Sequence, residues 1–300
     1  MGSDAIPLVP GVAGRTARAR AGRAFRAARV IHPFPTLLNV AATLGLALVA
    51  GRGVPDLALL SRMLLLMLCA QSAIGVANDY FDRDLDARTK LWKPIAAGLV
   101  PAPVAAALAL ALSAASIALA ATLGPSGFLL ALLGLACGLA YDARLKRTLF
   151  SAVPYMVAIP TLPLWVWATL GQWRPVLWWL IPVGALIGLA LHLQNTVADI
   201  EGDAASGILG LPHRLGARRS MRIGWVAFGL ALAITVGLVP AVGYHLRWYL
   251  PAAVVAAACL AASIAAYALR RDAAALQLGF GLLGAGSAVL ATGWLAAVTG

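Results

Sequence analysis

Two nine-residue stretches of the chain, NDYFDRDLD and NTVADIEGD, carry oxygen-bearing side chains at one spacing. Both read N-x-x-x-D-x-x-x-D, with Asn78, Asp82 and Asp86 in the first and Asn195, Asp199 and Asp203 in the second. Together they hold seven of the eleven acidic residues. In a helix, residues four apart lie on one face and rise by about 6 Å per step. Each stretch, if helical, therefore forms a column of oxygen ligands.

Metal binding is the chemistry that such columns favour. Carboxylate and amide oxygens are hard ligands suited to Mg²⁺, and bound Mg²⁺ can in turn hold a group with several negative oxygens, such as a diphosphate. A pair of solvated acidic loops is the alternative. The repeated pattern and the cost of unpaired acids at membrane ends favour ligands. Asp79, Asp84 and Glu201 lie off the columns, so we predict that they support the ligands or are solvated.

Basic residues follow the first column in RTKLWKP and occur again in YDARLKR. Among them we predict Lys93, Arg144 and Lys146 as diphosphate ligands, because cations stabilise a departing diphosphate. The alternative for each is the ordinary positive charge of a cytoplasmic loop. Lys146 lies at the end of an apolar run, where a charge costs little. We therefore expect its replacement to affect donor affinity more than folding.

The composition indicates that the chain is a membrane protein. The chain is 62% hydrophobic and 11% charged, whereas about a quarter of an ordinary soluble domain is charged. The net charge of +12 lies mainly in the N-terminal tail and in short loops, a pattern of membrane topology and anionic-lipid contact. No basic face with stacking aromatics is visible, so no nucleic-acid partner is predicted. Three cysteines inside apolar runs indicate neither a disulfide nor a metal site.

Nine apolar runs are predicted to cross the membrane as helices in one all-α bundle around a central cavity. Their approximate bounds are 33–50, 59–78, 103–122, 126–141, 150–170, 176–198, 224–243, 249–268 and 274–298. Residues 1–30 are predicted to be a basic cytoplasmic tail, since arginines there and a full-length apolar run after them argue against a cleavable signal. Residues 31–300 form the membrane domain in this prediction.

The basic residues predict the orientation of the bundle. With the tail inside the cell, nineteen of the 23 basic residues fall on the cytoplasmic side. The other four, Arg52, Arg62, Arg174 and Arg247, fall on the opposite side. This split predicts a multi-pass protein of the cell membrane with the N-terminus and both columns at the cytoplasmic face and the C-terminus across the membrane.

At these residues the sequence resembles the UbiA superfamily of intramembrane prenyltransferases. The motif N-D-x-x-D-x-x-x-D is similar to Asn78, Asp79, Asp82 and Asp86 as they stand, and D-x-x-x-D resembles Asp199 and Asp203. The segments TKLWKPIAAG, YDARLKR and DIEGDAASGILGLPHRLG also resemble parts of that family. The resemblance runs from about residue 25 to the end, and its two paired motifs are specific.

The resemblance implies transfer of a prenyl group from a polyprenyl diphosphate to an aromatic or lipid acceptor within the membrane. Mg²⁺ would bridge the diphosphate to the aspartates, and the C–O bond would ionise to an allylic cation that the acceptor attacks. In this reading Asp82 and Asp199 are catalytic, and Tyr141 stabilises the cation by its ring face. A mostly apolar interior would hold the tail and keep water away.

The acceptor site is less clearly defined by the sequence. Many family members carry Arg or Lys just before the proline that opens the first span, whereas this chain has His32 there, so the resemblance does not predict a fixed positive charge for an anionic group on the acceptor. Asn39 matches a family-like polar position, and Gln71 and His192 could line the cavity near the acceptor. Each of the last two could instead be a packing residue with one hydrogen bond.

Two other functions stay open at this point. A terpene cyclase of the same fold would carry the same motifs and quench the cation within the substrate. A divalent-cation transporter would need polar residues through the bilayer, and beyond Gln71, His192 and Gln194 the spans are almost entirely apolar. Neither the acceptor, the tail length nor the oligomeric state can be read from the residues.

Overall fold

The computed structural model describes residues 22–197, 200, 209–270 and 272–299. Within these ranges the chain is helical and contains no strand. Its α-helices are α1 (Pro33–Ala50), α2 (Leu57–Phe81), α3 (Arg83–Thr89), α4 (Ala102–Ala120), α5 (Gly124–Ala143), α6 (Val153–Thr169), α7 (Leu180–Val197), α8 (Leu211–Leu215), α9 (Ala217–Gly237), α10 (Val239–Val242), α11 (Leu246–Leu269) and α12 (Ala273–Thr299). The all-α prediction is confirmed.

Eight helical segments of the described chain have at least 18 residues and are apolar enough to cross a membrane. The ninth predicted span, 150–170, is an apolar helix of 17 residues, Val153–Thr169. The prediction of nine spans differs from the structure at this helix alone. Pro154 opens α6, and Pro160 and Pro163 lie inside it. Proline removes backbone hydrogen bonds from a helix interior, which neighbouring helices in a membrane protein can compensate.

The long helices close into a ring around a cavity. α2 packs against α1, α4 and α5, and the ring continues through α5, α6, α7 and α9. α11 packs against α9 and α12, and α12 contacts both α7 and α1, which completes the circuit. Helix ends that meet on the inside of this ring can therefore present side chains to one shared cavity.

α6 and α7 approach each other closely because α7 has glycine where the two backbones meet. A Cβ atom built on Gly188 would lie 2.4 Å from the carbonyl oxygen of Tyr155, and one on Gly184 would lie 2.7 Å from Pro160. Small residues allow this kind of backbone approach in membranes. The contact fixes Tyr155 relative to His192, which lies one turn beyond Gly188.

We expect Gly188→Ala to lower the melting temperature, because the added methyl would collide with backbone atoms that cannot rotate away. Overpacking of this kind costs about 1–3 kcal/mol. The matched control is Gly281→Ala in α12, where a Cβ would meet nothing within 4 Å. Thermal unfolding in one detergent compares the two variants. Equal melting temperatures would show that the contact between α6 and α7 is looser than described.

Arginines at the end of the bundle opposite the acidic columns bind the carboxyl ends of helices. Arg52 Nη2 donates to the carbonyl oxygen of Thr299 at 2.5 Å, and Arg174 Nη1 donates to that of Val298 at 3.4 Å. Arg62 Nη1 donates to the carbonyl oxygen of Thr122 at 3.2 Å. These carbonyl groups carry the negative end of the helix dipole. Three of the four arginines assigned to this side therefore have a structural partner.

Candidate active site

A cavity of about 590 Å³ opens at the end of the bundle where the first column lies. Ten of the predicted site residues line it: Asn39, Gln71, Asn78, Asp82, Asp86, Lys93, Tyr141, Lys146, His192 and Asn195. The predicted ligands Asp199 and Asp203 lie outside the described residues, as does Glu201. The structure therefore brings the first column, two of the three predicted cations and one member of the second column to one chamber.

The first column bridges two helices. α2 ends at Phe81, α3 begins at Arg83, and Asp82 lies at the junction. The Asp82 amide donates to the Asn78 carbonyl oxygen at 3.0 Å, and the Asp86 amide donates to the Asp82 carbonyl oxygen at 2.7 Å. The four-residue spacing of a helix thus continues across the junction. This is why Asn78, Asp82 and Asp86 all face the cavity.

Lys146 lies between two buried carboxylates. Its Nζ donates to Asp82 Oδ2 at 2.6 Å and lies 3.5 Å from Asp142 Oδ1. The Lys146 side chain is 7% exposed. The expectation that its charge costs little at the end of a span is therefore wrong, because the segment after α5 turns inward as a 3₁₀-helix and buries the ammonium group.

Lys93 forms an ion pair with Asp86, the last residue of the same column. Its Nζ lies 2.8 Å from Asp86 Oδ2 and 2.9 Å from Asp79 Oδ1, and His32 Nε2 lies 2.9 Å from that same Asp79 oxygen. Burial acts to lower the pKa of Lys93, but its bonds to the two carboxylates raise that pKa above the usual value. Burial raises the pKa of Asp86, an effect that Lys93 only partly opposes. Asp79 therefore supports the column through Lys93 rather than belonging to it.

The three basic residues of the YDARLKR segment differ in their positions. Arg144, a predicted diphosphate ligand, is exposed and is not among the residues that line the cavity. Arg147 instead reaches the site and donates from Nη2 to Asp82 Oδ1 at 3.2 Å. The turn after α5 changes the direction of successive side chains. Sequence spacing alone did not reveal which arginine points inward.

Asp142 is the buried acid that the sequence analysis did not select. It accepts a hydrogen bond from Asn78 Nδ2 at 2.7 Å and pairs with Lys146, four residues along the chain. An Asp–Lys pair at this spacing is a recognised helical motif. That signal could have been read from the sequence, because the pair stands at the end of an apolar run.

Aromatic side chains form another wall of the cavity. The ring centroid of Tyr155 lies 5.3 Å from that of Tyr141 and 5.0 Å from that of His192. His192 Nε2 lies 2.9 Å from Ser151 Oγ, which also accepts a hydrogen bond from the Leu211 amide at 2.9 Å. His192 thus has both a packing contact and a polar partner while it lines the chamber. Ring faces at this wall can stabilise a nearby cation.

Two further residues predicted at the acceptor side line the cavity from α1 and α2. Asn39 Nδ2 donates to the carbonyl oxygen of Pro35 at 2.9 Å, and Gln71 lies two turns before Asn78 in α2. Both are polar and uncharged, so they can orient an acceptor by hydrogen bonds without attracting a particular charge.

The ligand chemistry of the first column fits a hard divalent cation. Asp82 and Asp86 offer carboxylate oxygens and Asn78 an amide oxygen, all facing the cavity. No group of three or more His, Cys, Asp or Glu side chains in the described ranges is arranged as a complete metal site. In this structure Lys93 forms an ion pair with Asp86, and Lys146 forms one with Asp82. The column thus resembles one half of a site, and the carboxylates predicted for the other half lie outside the described residues.

A comparison with protein-family models identifies the family of the chain. The model of the UbiA prenyltransferase family matches residues 38–284, which is most of the chain. The chain belongs to the UbiA prenyltransferase family. Its predicted family and its classification as a prenyltransferase are confirmed.

Two differently named curated relatives are similar to most of this chain. The digeranylgeranylglyceryl phosphate synthase of Pyrococcus abyssi is 34% identical over 229 residues, covering 76% of this chain and 81% of the relative. The 4-hydroxybenzoate octaprenyltransferase of Vibrio atlanticus is 28% identical over 230 residues, covering 74% and 80%. The similarity therefore extends over most of this chain and most of each relative.

Solved structures of UbiA homologues share the fold. One from Archaeoglobus fulgidus, bound to GPP and Mg²⁺, superimposes with a TM-score of 0.70 at 17% identity and covers 89% of this chain. Another, from Aeropyrum pernix in its apo form, gives a TM-score of 0.67 at 20% identity and covers 84%. The helical bundle around a cavity is thus the UbiA fold.

Proposed function

We propose that this UbiA protein transfers a prenyl group from a prenyl diphosphate to a hydrophobic or amphipathic acceptor, with Mg²⁺, in the 590 Å³ cavity. One observation carries the proposal: an oxygen column, two buried lysines and an aromatic wall line the same chamber. The relatives named for prenyl transfer and the Archaeoglobus homologue bound to GPP and Mg²⁺ support it.

In this proposal Asn78, Asp82, Asp86 and Asn195, which line the cavity, would hold Mg²⁺ together with Asp199 and Asp203, the ligands predicted from the second column. When bound, Mg²⁺ neutralises diphosphate charge and so favours ionisation of the C–O bond. The carboxylates contribute the negative charge that attracts the ion. Unpaired acidic residues at the end of a membrane span are costly, so we expect these carboxylates to be paired with cations both before and after the donor binds.

Lys93 and Lys146 can exchange partners. Each ammonium group now contacts two carboxylates and lines the cavity that a diphosphate would enter. We propose that each lysine turns from a carboxylate to a diphosphate oxygen when the donor binds. An ammonium group has three N–H donors on a flexible stem, which suits this exchange. Arg147, already on Asp82, is a further candidate for the same role, whereas Arg144 would have to move inward.

The aromatic wall supplies the remaining chemistry in this proposal. The rings of Tyr141 and Tyr155 can stabilise the allylic cation that forms when the diphosphate departs. The apolar interior of the bundle keeps water from quenching that cation. Asn39, Gln71 and His192 orient the acceptor, which then attacks and loses a proton.

Product analysis tests this function. The purified protein is incubated with Mg²⁺, a panel of prenyl diphosphates, and either an aromatic acceptor such as 4-hydroxybenzoate or a prenylated glycerol phosphate. We expect mass spectrometry to detect an acceptor enlarged by the prenyl unit. A cyclic hydrocarbon or alcohol formed from the donor alone would show a cyclase instead. Recovery of unchanged donor in every mixture would contradict both functions.

We also propose that the cavity opens at the cytoplasmic face and that the C-terminus lies across the membrane. The supporting observation is that nineteen of 23 basic residues fall on the predicted cytoplasmic side. Alkaline phosphatase fused after Gly300 should therefore be active, and a fusion in the loop at Gly98 should be inactive. An active Gly98 fusion together with an inactive Gly300 fusion would show that the orientation is the reverse of the one proposed.

A further inference from the structure

A small cavity lies between α9 and α11, apart from the acidic chamber, the cavity lined by Asp82 and Asp86. Its volume is about 140 Å³, and Arg218, Arg222, Trp225 and Tyr267 line it. α9 begins at Ala217, shortly after residues that line the acidic chamber, and α11 returns from the opposite end of the bundle to finish at Leu269. Both cavities therefore lie at the same membrane face.

The two arginines of this cavity form no ion pair with an acidic residue of the described part of the chain. Arg218 and Arg222 stand one helical turn apart on α9, and both are exposed. Across the described ranges, no acidic side chain pairs with either of them. Asp272, the acid that follows α11, is held by Arg270 at 3.1 Å. Two adjacent guanidinium groups attract an anion, and guanidinium geometry matches phosphate oxygens in a bidentate manner.

The walls of the cavity are fixed by aromatic contacts. Trp225 Nε1 donates to Ser263 Oγ at 3.0 Å, which ties α9 to α11. The Trp225 and Tyr267 rings meet edge to face with centroids 5.6 Å apart. Trp and Tyr favour the level of the lipid headgroups, where their rings are half in the apolar phase. The pocket therefore has a floor fixed by aromatic contacts, of residue types that favour the level of the lipid phosphates.

Apolar side chains continue from the pocket toward the membrane interior. Val226 and Leu230 on α9 are 61% and 51% exposed, and Ile264 on α11 is 41% exposed. In a bilayer this surface contacts hydrocarbon chains. A ligand with an anionic phosphate and acyl chains would satisfy the arginines and cover these residues together, whereas a soluble phosphate would satisfy the arginines alone.

We propose that this pocket binds the phosphate headgroup of an anionic phospholipid, with its chains lying along α9 and α11. Basic pockets between membrane helices are a known mode of recognition for such headgroups. The lipid would bridge α9 and α11 at the end of the bundle where the larger cavity opens. This inference does not depend on the reaction proposed for the acidic chamber.

Lipid titration of the full-length protein in detergent tests the proposal. Native mass spectrometry measures binding of phosphatidylglycerol, with phosphatidylcholine as the uncharged comparison. The variant is Arg218→Gln/Arg222→Gln, and the matched control is Arg219→Gln, which removes a neighbouring exposed charge that does not line the pocket. We expect the double variant to weaken phosphatidylglycerol binding by about tenfold or more. We expect the control to bind as the wild type does.

Four outcomes would overturn the proposal. Unchanged binding by the double variant would exclude the pocket. An equal loss in Arg219→Gln, or equal binding of phosphatidylcholine, would indicate diffuse attraction to the basic face. Competition by millimolar inorganic phosphate that removes the bound lipid completely would make free phosphate the ligand. Melting temperatures of all variants, measured without added lipid, verify that each one is folded.

Discussion

Asp82→Asn should reduce prenyl transfer by about a hundredfold or more, the loss found when one preorganised electrostatic group is removed from an active site. Asp82 is the middle member of the first column and is 8% exposed. Asparagine keeps the shape but removes one of the charges that would offset Mg²⁺. Lys146 would still pair with Asp142, so the bundle should remain folded. Initial rates at saturating donor, with a melting curve for each variant, give the result.

The control for this substitution is Asp84→Asn, because the Asp84 side chain is 87% exposed and is not among the residues that line the cavity. It should cost little activity. Asp199→Asn should match the loss of Asp82→Asn, and the double variant should lose less than the product of the two losses, because both would act on one metal–diphosphate assembly. Full additivity would place the two aspartates at independent sites.

Lys146→Ala should be the second severe substitution, and it should affect both stability and activity. Removing one partner of a buried ion pair costs about 3–5 kcal/mol, because the other partner is left uncompensated. Asp82 would still accept a hydrogen bond from Arg147, and Asp142 would still accept one from Asn78. The loss of folding free energy should therefore lie near the lower limit of this range. We expect a clearly lower melting temperature together with a weaker stabilisation by added Mg²⁺ and pyrophosphate.

Arg147→Ala supplies the comparison for Lys146→Ala. It also removes a cation that contacts Asp82, but its side chain is 45% exposed, and exposed pairs contribute about 0–1 kcal/mol. Its melting temperature should stay close to that of the wild type. If Lys146→Ala also melts like the wild type, the buried cluster contributes nothing to folding. If pyrophosphate stabilises Lys146→Ala as strongly as it does the wild type, Lys146 is not a diphosphate ligand.

The sequence predicted those features that follow from periodicity and composition. Apolar runs of helical length are set by the thickness of the bilayer, so seven of the eight spans were predicted within about three residues of their ends. The eighth, predicted from residue 224, begins at Ala217, because its first turns carry arginines. The column of Asn78, Asp82 and Asp86 was predictable because the four-residue repeat survives the junction between α2 and α3.

Features set by tertiary packing could not be predicted in the same way. The inward turn after α5 decides that Lys146 is buried and that Arg147 rather than Arg144 reaches Asp82. Asp142 was overlooked because a single acid has no repeat, although its i, i+4 relation to Lys146 was visible. His32 departs from the residue common in the family, and its contact with Asp79 joins two segments 47 residues apart. Such contacts depend on how the helices pack.

Diphosphate release by the purified wild-type protein tests the central claim most directly, namely that the acids cluster to bind metal for a diphosphate. The protein is stripped with EDTA, supplied with prenyl diphosphate and acceptor, and then titrated with Mg²⁺ while released diphosphate is measured. We predict no release in excess EDTA and recovery that saturates as Mg²⁺ is added, because the departing charge needs the metal. Release that continues at an undiminished rate in EDTA would contradict the account.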